Sequence, residues 1–288
     1  MVFIEEIEDR PWEILERSLH GYSGSIPKII HQSWRSKHIP LSLSSSRQSW
    51  EKTHPGWIYI LWTDKDIHDY VDLYHPEFKE LIRNQISLSS QRAEIMSYIV
   101  MYDYGGVYSD LKYVPRRGIS GYFTGNNTLY LLYDPVSNSF TNSIMASAPG
   151  EEFWADIWRR ILKPEVPPWA MGGYLEKKYT TGISMFNSAV VSYEKTFGSL
   201  PISLFNPGRN RVTSLMTLSG AGTMMNTEKV VLDFLYEHRV RLFISVVILT
   251  LVLGYLVYRF WRGRAGSRNK IHNIPSAKGA CNAVHGGA

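Results

Sequence analysis

Apolar residues fall into short runs and helical stripes along the chain. Ile26, Ile29 and Ile30 in IPKIIHQSW predict a short buried first strand. Trp57, Ile58, Tyr59, Ile60 and Leu61 in HPGWIYILWTD repeat the pattern, and Asp64 stops the run. A segment of mixed charge reads as helical to about Asn84. In SSQRAEIMSYIVMYDYGG, Ala93, Met96, Ile99 and Val100 recur every three or four residues, the period of a helix face. Ser89 or Ser90 is available to cap that helix, and Gly105 and Gly106 to stop it. VYSDLKYV and TLYLLYD read as strands, NSIMASAP as a turn and short strand, and EEFWADIWRRIL as an amphipathic helix. TTGISMFNSAVV reads as a loop leading into a final strand or helix. Strands alternating with helices predict an α/β sheet of parallel strands, with its ligand site at the strand C-terminal ends. The opening residues 1–25 are charged, lack an apolar core of signal-peptide length, and predict a short surface helix near Pro11.

From Leu242 to Tyr258 no residue is charged. As a helix these residues span about 26 Å. With Phe260, Trp261 and a snorkelling Arg259 the span reaches the hydrocarbon thickness of a bilayer, about 30 Å. Arg259, Arg262, Arg264, Arg268 and Lys270 follow as a basic cluster. The alternative, a buried core helix, fits poorly with that cluster and with near-uniform apolarity. The chain therefore divides into a surface segment 1–25, a catalytic-size domain 26–240, a transmembrane helix 241–261 and a basic tail 262–288, expected to be disordered.

Composition refines this picture. A chain of 288 residues, 44% hydrophobic and 13% aromatic, can bury a sizeable core. The formal charge of +5 sits largely in the tail, and no basic stripe interleaved with aromatics appears in the body. Nucleic acid is thus not an expected partner; anionic lipid and diphosphate are. Cys281 is the single cysteine, so neither an intrachain disulfide nor a thiolate zinc site can form.

The stretch GGVYSDLKYV, residues 105–114, holds the candidate chemistry. Two carboxylates in an Asp-x-Asp on a strand point to one face and can hold a divalent cation bridging the phosphates of a sugar nucleotide. Glycines ahead of them allow close backbone approach. Here Asp110 is present, and Lys112 occupies the second place.

The longer block RAEIMSYIVMYDYGGVYSDL resembles the signature of the family 32 glycosyltransferases, which carry the DXD sugar-binding region. Members include initiating mannosyltransferases and inositol-phosphoceramide mannosyltransferases. Arg92, Ala93, Glu94, Gly105, Gly106, Val107, Tyr108 and Asp110 stand at matching places. IPKIIHQSW, HPGWIYILWTD, NSIMASAPGEEFW and TTGISMF are similar to further segments in the same order, over roughly residues 26 to 240. The resemblance implies a GT-A (Rossmann-like) fold, a nucleotide-sugar donor, GDP-mannose first, and in most members manganese and retention of configuration. It departs at three places. Glu94 stands for an Asp, Lys112 stands for the second Asp, and SGAGTMMNTEK lacks the Trp and His of a Ser-Ser-Trp-His stretch.

Lys112 has three readings. Its ammonium replaces the metal's charge; or the pocket no longer binds donor productively; or Lys112 points away and Asp110 alone holds a weak metal. The remaining assignments follow from the resemblance. Arg92 and Glu94 hydrogen-bond the transferred sugar, or form a surface ion pair. Gly105, Gly106 and Tyr108 lie at the donor, with Tyr108 equally suited to the core. His31 and Trp34 follow the first strand, where nucleotides dock, and Trp34 stacks a base or packs. Asn142, Thr181 and Gly182 approach the sugar or acceptor. Asn126 in Asn-Asn-Thr is a glycosylation acceptor if the domain is lumenal.

The expected activity is hexosyl transfer, mannosyl first, to a lipid-like or glycan acceptor at the membrane. The rival is a non-catalytic pseudo-transferase that stabilises a partner transferase subunit. An endomembrane, single-pass location is expected, Golgi ahead of endoplasmic reticulum. The charge bias puts the large domain in the lumen, whereas a span near the end without an N-terminal signal resembles a tail anchor.

Overall fold

The structure, a computed structural model, describes residues 10–20, 22, 26–86, 88–123, 126–134, 138–170, 173–198, 202–203, 216–218 and 243–262. It forms two compact units, Met1–Thr223 and Met224–Ala288.

The first unit is built on a six-stranded sheet in the order β2-β1-β3-β6-β5-β7. Its strands are β1 (Ile29–Trp34), β2 (Ile58–Thr63), β3 (Gly106–Ser109), β5 (Leu129–Asp134), β6 (Ser139–Ser147) and β7 (Ile202–Ser203). A two-stranded ribbon pairs β4 (Tyr113–Pro115) with β8 (Met216–Leu218). The helices are α1 (Pro11–Leu19), α2 (Leu41–Thr53), α3 (Asp64–Tyr74), α4 (Pro76–Glu80), α5 (Ser89–Asp103), α6 (Glu152–Leu162), α7 (Gly173–Thr180) and α8 (Ile183–Phe197), with a π turn at Leu81–Gln85. This is the α/β architecture that the GT-A resemblance implies.

The sheet is mixed, not parallel as expected. β1 pairs in parallel with β2 and β3, but β6 runs antiparallel to both β3 and β5. The reason is β6 itself. Its nine residues span 139–147, where a turn and short strand were expected, and a hairpin from β5 returns it antiparallel into the sheet centre.

Side-chain alternation divides the core into two layers. Ile29, Tyr108, Leu129, Leu131 and Met145 face the α1, α3, α5, α6 and α8 side. Ile30, Val107, Tyr130, Leu132, Ile144 and Ala146 face Trp50 of α2 and Met216 of β8. The N-terminal helix is no surface element: Trp12 and Leu15 of α1 are buried in the first layer. Burial of the indole and the leucine, with the helix's own hydrogen bonds, offsets part of the cost of ordering α1.

Helix ends also depart from expectation. Leu88, without a side-chain cap, precedes α5, and Ser89 lies inside the helix with its hydroxyl on Asp64. Thr63 caps α3 in a reciprocal box with Asp66. Gly105 and Gly106 do follow α5, at φ +63° and +90°. A Cβ at Gly105 would lie 2.6 Å from the backbone of Ser147 and Pro149, and one at Gly106 2.8 Å from the Ile29 carbonyl oxygen. The close approach these glycines permit is therefore to neighbouring strands within the protein.

Within the second unit, Phe243–Arg262 is a 20-residue helix of mean hydropathy 2.1, long and apolar enough to cross a membrane. The basic tail, Cys281 and SGAGTMMNTEK lie outside the described residues.

Candidate functional site

After β1 the chain passes to β2 on one side and later to β3 on the other. β1 and β3 thus flank a switch point, and α/β sheets take ligands beyond the strand C-terminal ends at such a point. Trp34 ends β1 and Asp110 follows β3.

VYSDLKYV is not one strand. The ladder stops at Ser109, and a turn closed by Tyr113 N–H donating to Asp110 C=O at 3.0 Å separates β3 from β4. Asp110 N–H also donates to Ser143 C=O of β6 at 2.9 Å, and buried Leu111 anchors the turn. Strand alternation therefore does not set the relation of Asp110 to Lys112; the turn does. It brings Lys112 Nζ to 3.1 Å from Asp110 Oδ2, with side chains 44% and 35% exposed. Burial alone would lower the Lys112 ammonium's pKa; Asp110, with Tyr113 and Glu94, more than offsets it, so the net direction is up. Lys112 is charged at neutral pH and also lies 5.4 Å from the Tyr113 ring centroid.

These residues do not make a divalent-metal site from protein ligands alone. Asp110 is the one carboxylate of the turn, and an ammonium lies against it. Among the described residues no group of three His, Cys, Asp or Glu is placed to hold a metal ion. A cation at Asp110 would have to displace Lys112 and would have one protein carboxylate, the remaining oxygens coming from the donor's phosphates.

Tyr108 joins the turn to β1. Its hydroxyl lies 3.0 Å from Ser33 Oγ and 3.5 Å from Asp110 Oδ1. Its ring is buried in the core, as the packing reading of Tyr108 has it. Burial, reinforced by Asp110, pushes its phenol pKa up, and it stays neutral. Trp34 is half-buried, with the Arg35 guanidinium 5.4 Å from its ring centroid.

A second cluster centres on Glu94 in the first turns of α5. Lys177 Nζ of α7 lies 3.0 Å from Glu94 Oε1, with side chains 20% and 21% exposed. The Thr181 hydroxyl donates to Oε2 at 2.7 Å. Thr181 C=O accepts from the Tyr98 hydroxyl at 2.9 Å, and Asn142 Nδ2 donates to that same hydroxyl at 2.7 Å. Burial pushes the Glu94 carboxyl pKa up; Lys177 and Thr181 oppose the shift, and Asp110 adds to it. Asp110 and Glu94 are thus close enough to feel each other, and Glu94 helps to keep Lys112 charged.

The structure therefore gathers Asp110, Lys112, Tyr108, Glu94, Asn142 and Thr181, with Gly182 forming the N-cap of α8. Lys177 was missed by sequence reasoning. One lysine in GYLEKKYT carries no signal, and only the folding of α7 against α5 reveals it. Two expected donor contacts lie elsewhere. His31 is fully buried: its ring accepts from Trp62 Nε1 at 3.1 Å, and its Nε2 lies 3.0 Å from Gly105 C=O. Both nitrogens are used, so none is left for a ligand. Burial lowers its pKa to about 4, so it is neutral. Arg92 points away from Glu94, along a helix that turns about 100° per residue, and donates to Ile86 C=O, Ser89 and Asp64. Asn126 is exposed in a turn, as a glycosylation acceptor must be.

Similarity to known proteins bears on the same segments. Residues 40–130 match the model of the glycosyltransferase sugar-binding region containing DXD motif. Inositol phosphoceramide mannosyltransferase 2 of Schizosaccharomyces pombe is 31% identical over 61% of this chain and 50% of its own length. Inositol phosphoceramide mannosyltransferase 3 of the same organism is 28% identical over 56% and 43%. The chain thus spans half or less of these curated relatives. Among solved structures, the PaToxG glycosyltransferase is similar at TM-score 0.45 and 15% identity, over 64% of this chain and 77% of that chain. Arg92, Glu94, Gly105, Gly106 and Asp110 lie inside the stretch that is similar to the DXD sugar-binding region.

Proposed function

We propose that the chain is a membrane-anchored glycosyltransferase that moves mannose from GDP-mannose, with retention, to an inositol phosphoceramide-like lipid. The observation that carries the reading is the Asp110–Lys112 turn at the switch point, in electrostatic reach of the Glu94–Lys177–Thr181 cluster. The relatives' acceptors and the apolar helix Phe243–Arg262 support the lipid and the anchor. An endomembrane location, Golgi first, follows from the same reading.

Lys112 faces the leaving diphosphate and supplies part of the charge that a metal provides in other members. Asp110 holds Lys112 over the turn and contacts the donor's ribose. Glu94, held on both oxygens, accepts hydrogen bonds from hydroxyls of the transferred sugar and lends negative potential to the oxocarbenium-like centre. Trp34 stacks on the base. No side chain is assigned as a general base, since a retaining displacement asks chiefly for stabilisation of the leaving group.

Titration calorimetry of the full chain in detergent with GDP-mannose, GDP and their UDP counterparts tests this, each with manganese and with chelator. Binding of the guanosine ligands that ignores chelator supports the reading. A second reading, a non-catalytic partner of an active transferase, is favoured by one observation: Lys112 already neutralises Asp110. A folded protein that binds none of these ligands would favour that alternative.

A further inference from the structure

Between β1 and α2 lie two fully buried polar side chains, Gln32 and Ser46. Their hydrogen bonds form one chain with a single direction. Tyr113 C=O can only accept, so the Ser46 hydroxyl donates its one proton to it, at 2.7 Å. Ser46 Oγ is left to accept, and Gln32 Nε2 donates to it at 3.1 Å. That turns Gln32 Oε1 toward the Tyr59 hydroxyl of β2, which donates at 2.6 Å.

The chain ends on the residue after Lys112. Tyr113 N–H already closes the Asp110 turn, so the turn has an anchor at each end: Asp110 N–H on Ser143 C=O, and Tyr113 C=O on Ser46. Adjacent residues of β1 reach it from both faces of the sheet. Ser33 does so through Tyr108 to Asp110, and Gln32 through Ser46 to Tyr113. Trp34, the proposed seat of the base, lies two residues after Gln32 and on the same face of the strand. Ser49, three residues further along α2, bonds Pro115 C=O in the same way. It holds β4 but lies beyond the turn.

We infer that Gln32 and Ser46 are positioning residues for Lys112: they tie the turn that carries the ammonium to the strand end that seats the base, and so set the spacing between the base and diphosphate sites. The inference rests on the assignment of Lys112 to the diphosphate. Both side chains are fully buried, so neither touches the donor. Burying an amide and a hydroxyl costs desolvation that an apolar pair would avoid. What they add is a fixed place for one carbonyl, next to the lysine.

The test is a double-mutant cycle, read by titration calorimetry of the full chain in detergent with GDP-mannose and chelator. Ser46→Ala should weaken binding about fivefold, the worth of one hydrogen bond. In a Lys112→Met background the same change should weaken it less than about twofold, because the ammonium it positions is gone. Tyr59→Phe removes the far end of the chain and keeps the ring. It should show the same dependence on Lys112, and it carries the test if Ser46→Ala does not fold. Ser49→Ala should lower the unfolding midpoint as Ser46→Ala does, yet leave donor affinity unchanged. A structural role alone would move the two serine variants alike, and in both backgrounds. For Ser46→Ala or Tyr59→Phe, equal weakening in the two backgrounds, or none in the wild type, overturns this inference while the assignment of Lys112 stands; so does equal weakening by Ser49→Ala. A wild-type chain that binds no GDP-mannose, or a Lys112→Met variant that binds as well as wild type, overturns that assignment and this inference with it.

Discussion

Replacing Lys112 by methionine separates its role in folding from its role in binding. The Lys112–Asp110 pair is 3.1 Å long, but its side chains are 44% and 35% exposed. Solvent screens such a pair, and it contributes within about 1 kcal/mol to stability. Lys112→Met should therefore leave the unfolding midpoint almost unchanged. An ammonium on a diphosphate oxygen is a charge-assisted hydrogen bond worth about 1.5–3 kcal/mol. Its loss should weaken GDP-mannose binding about 10- to 150-fold. Titration calorimetry with chelator reads this directly, and circular dichroism checks the fold. Lys112→Asp supplies the converse. It places two carboxylates in the turn, and binding should become manganese-dependent. Wild-type binding that chelator abolishes, or donor affinity that Lys112→Met leaves intact, would refute the assignment of Lys112 to the diphosphate.

Three further outcomes follow from the geometry. His31 has its pKa lowered to about 4 by burial, against 6.5 in the unfolded chain. The unfolded state then binds more protons between those values, and stability falls by up to roughly 3 kcal/mol as pH drops from 6.5 to 4; His31→Gln should flatten that window in denaturant titrations. Gly106→Ala meets both a φ of +90° and the Ile29 carbonyl, and should cost about 2–4 kcal/mol, whereas Gly56→Ala, at φ +79° with open space around it, should cost about 1–2 in the same titrations. Lys177→Met leaves the Glu94 carboxylate without its cation and should raise the Glu94 pKa further, so the acid limb of the kcat/KM profile moves to higher pH and Lys177→Arg restores it.

Much of the fold and part of the site are legible in the chain alone. The three- and four-residue spacing from Ala93 to Val100, the apolar runs at Ile29 and Ile58, and the uncharged stretch from Leu242 are local patterns. Local periodicity decides helix, strand or span before any partner is chosen. The block from Arg92 to Asp110 is likewise recognisable in the chain, because its residues are neighbours in sequence. Tertiary structure decided what depends on distant partners. β6 enters the sheet antiparallel because a hairpin carries it there. His31 leaves the ligand and enters the core because Trp62 and the Gly105 carbonyl surround it. Lys112 meets Asp110 because a tight turn, not a strand, lies between them. Thr181 reaches Glu94 across 87 residues of sequence, and Lys177 comes with it. Composition and spacing carry no record of such pairings, since packing of α7 against α5 creates them only once the sheet and its helices have formed.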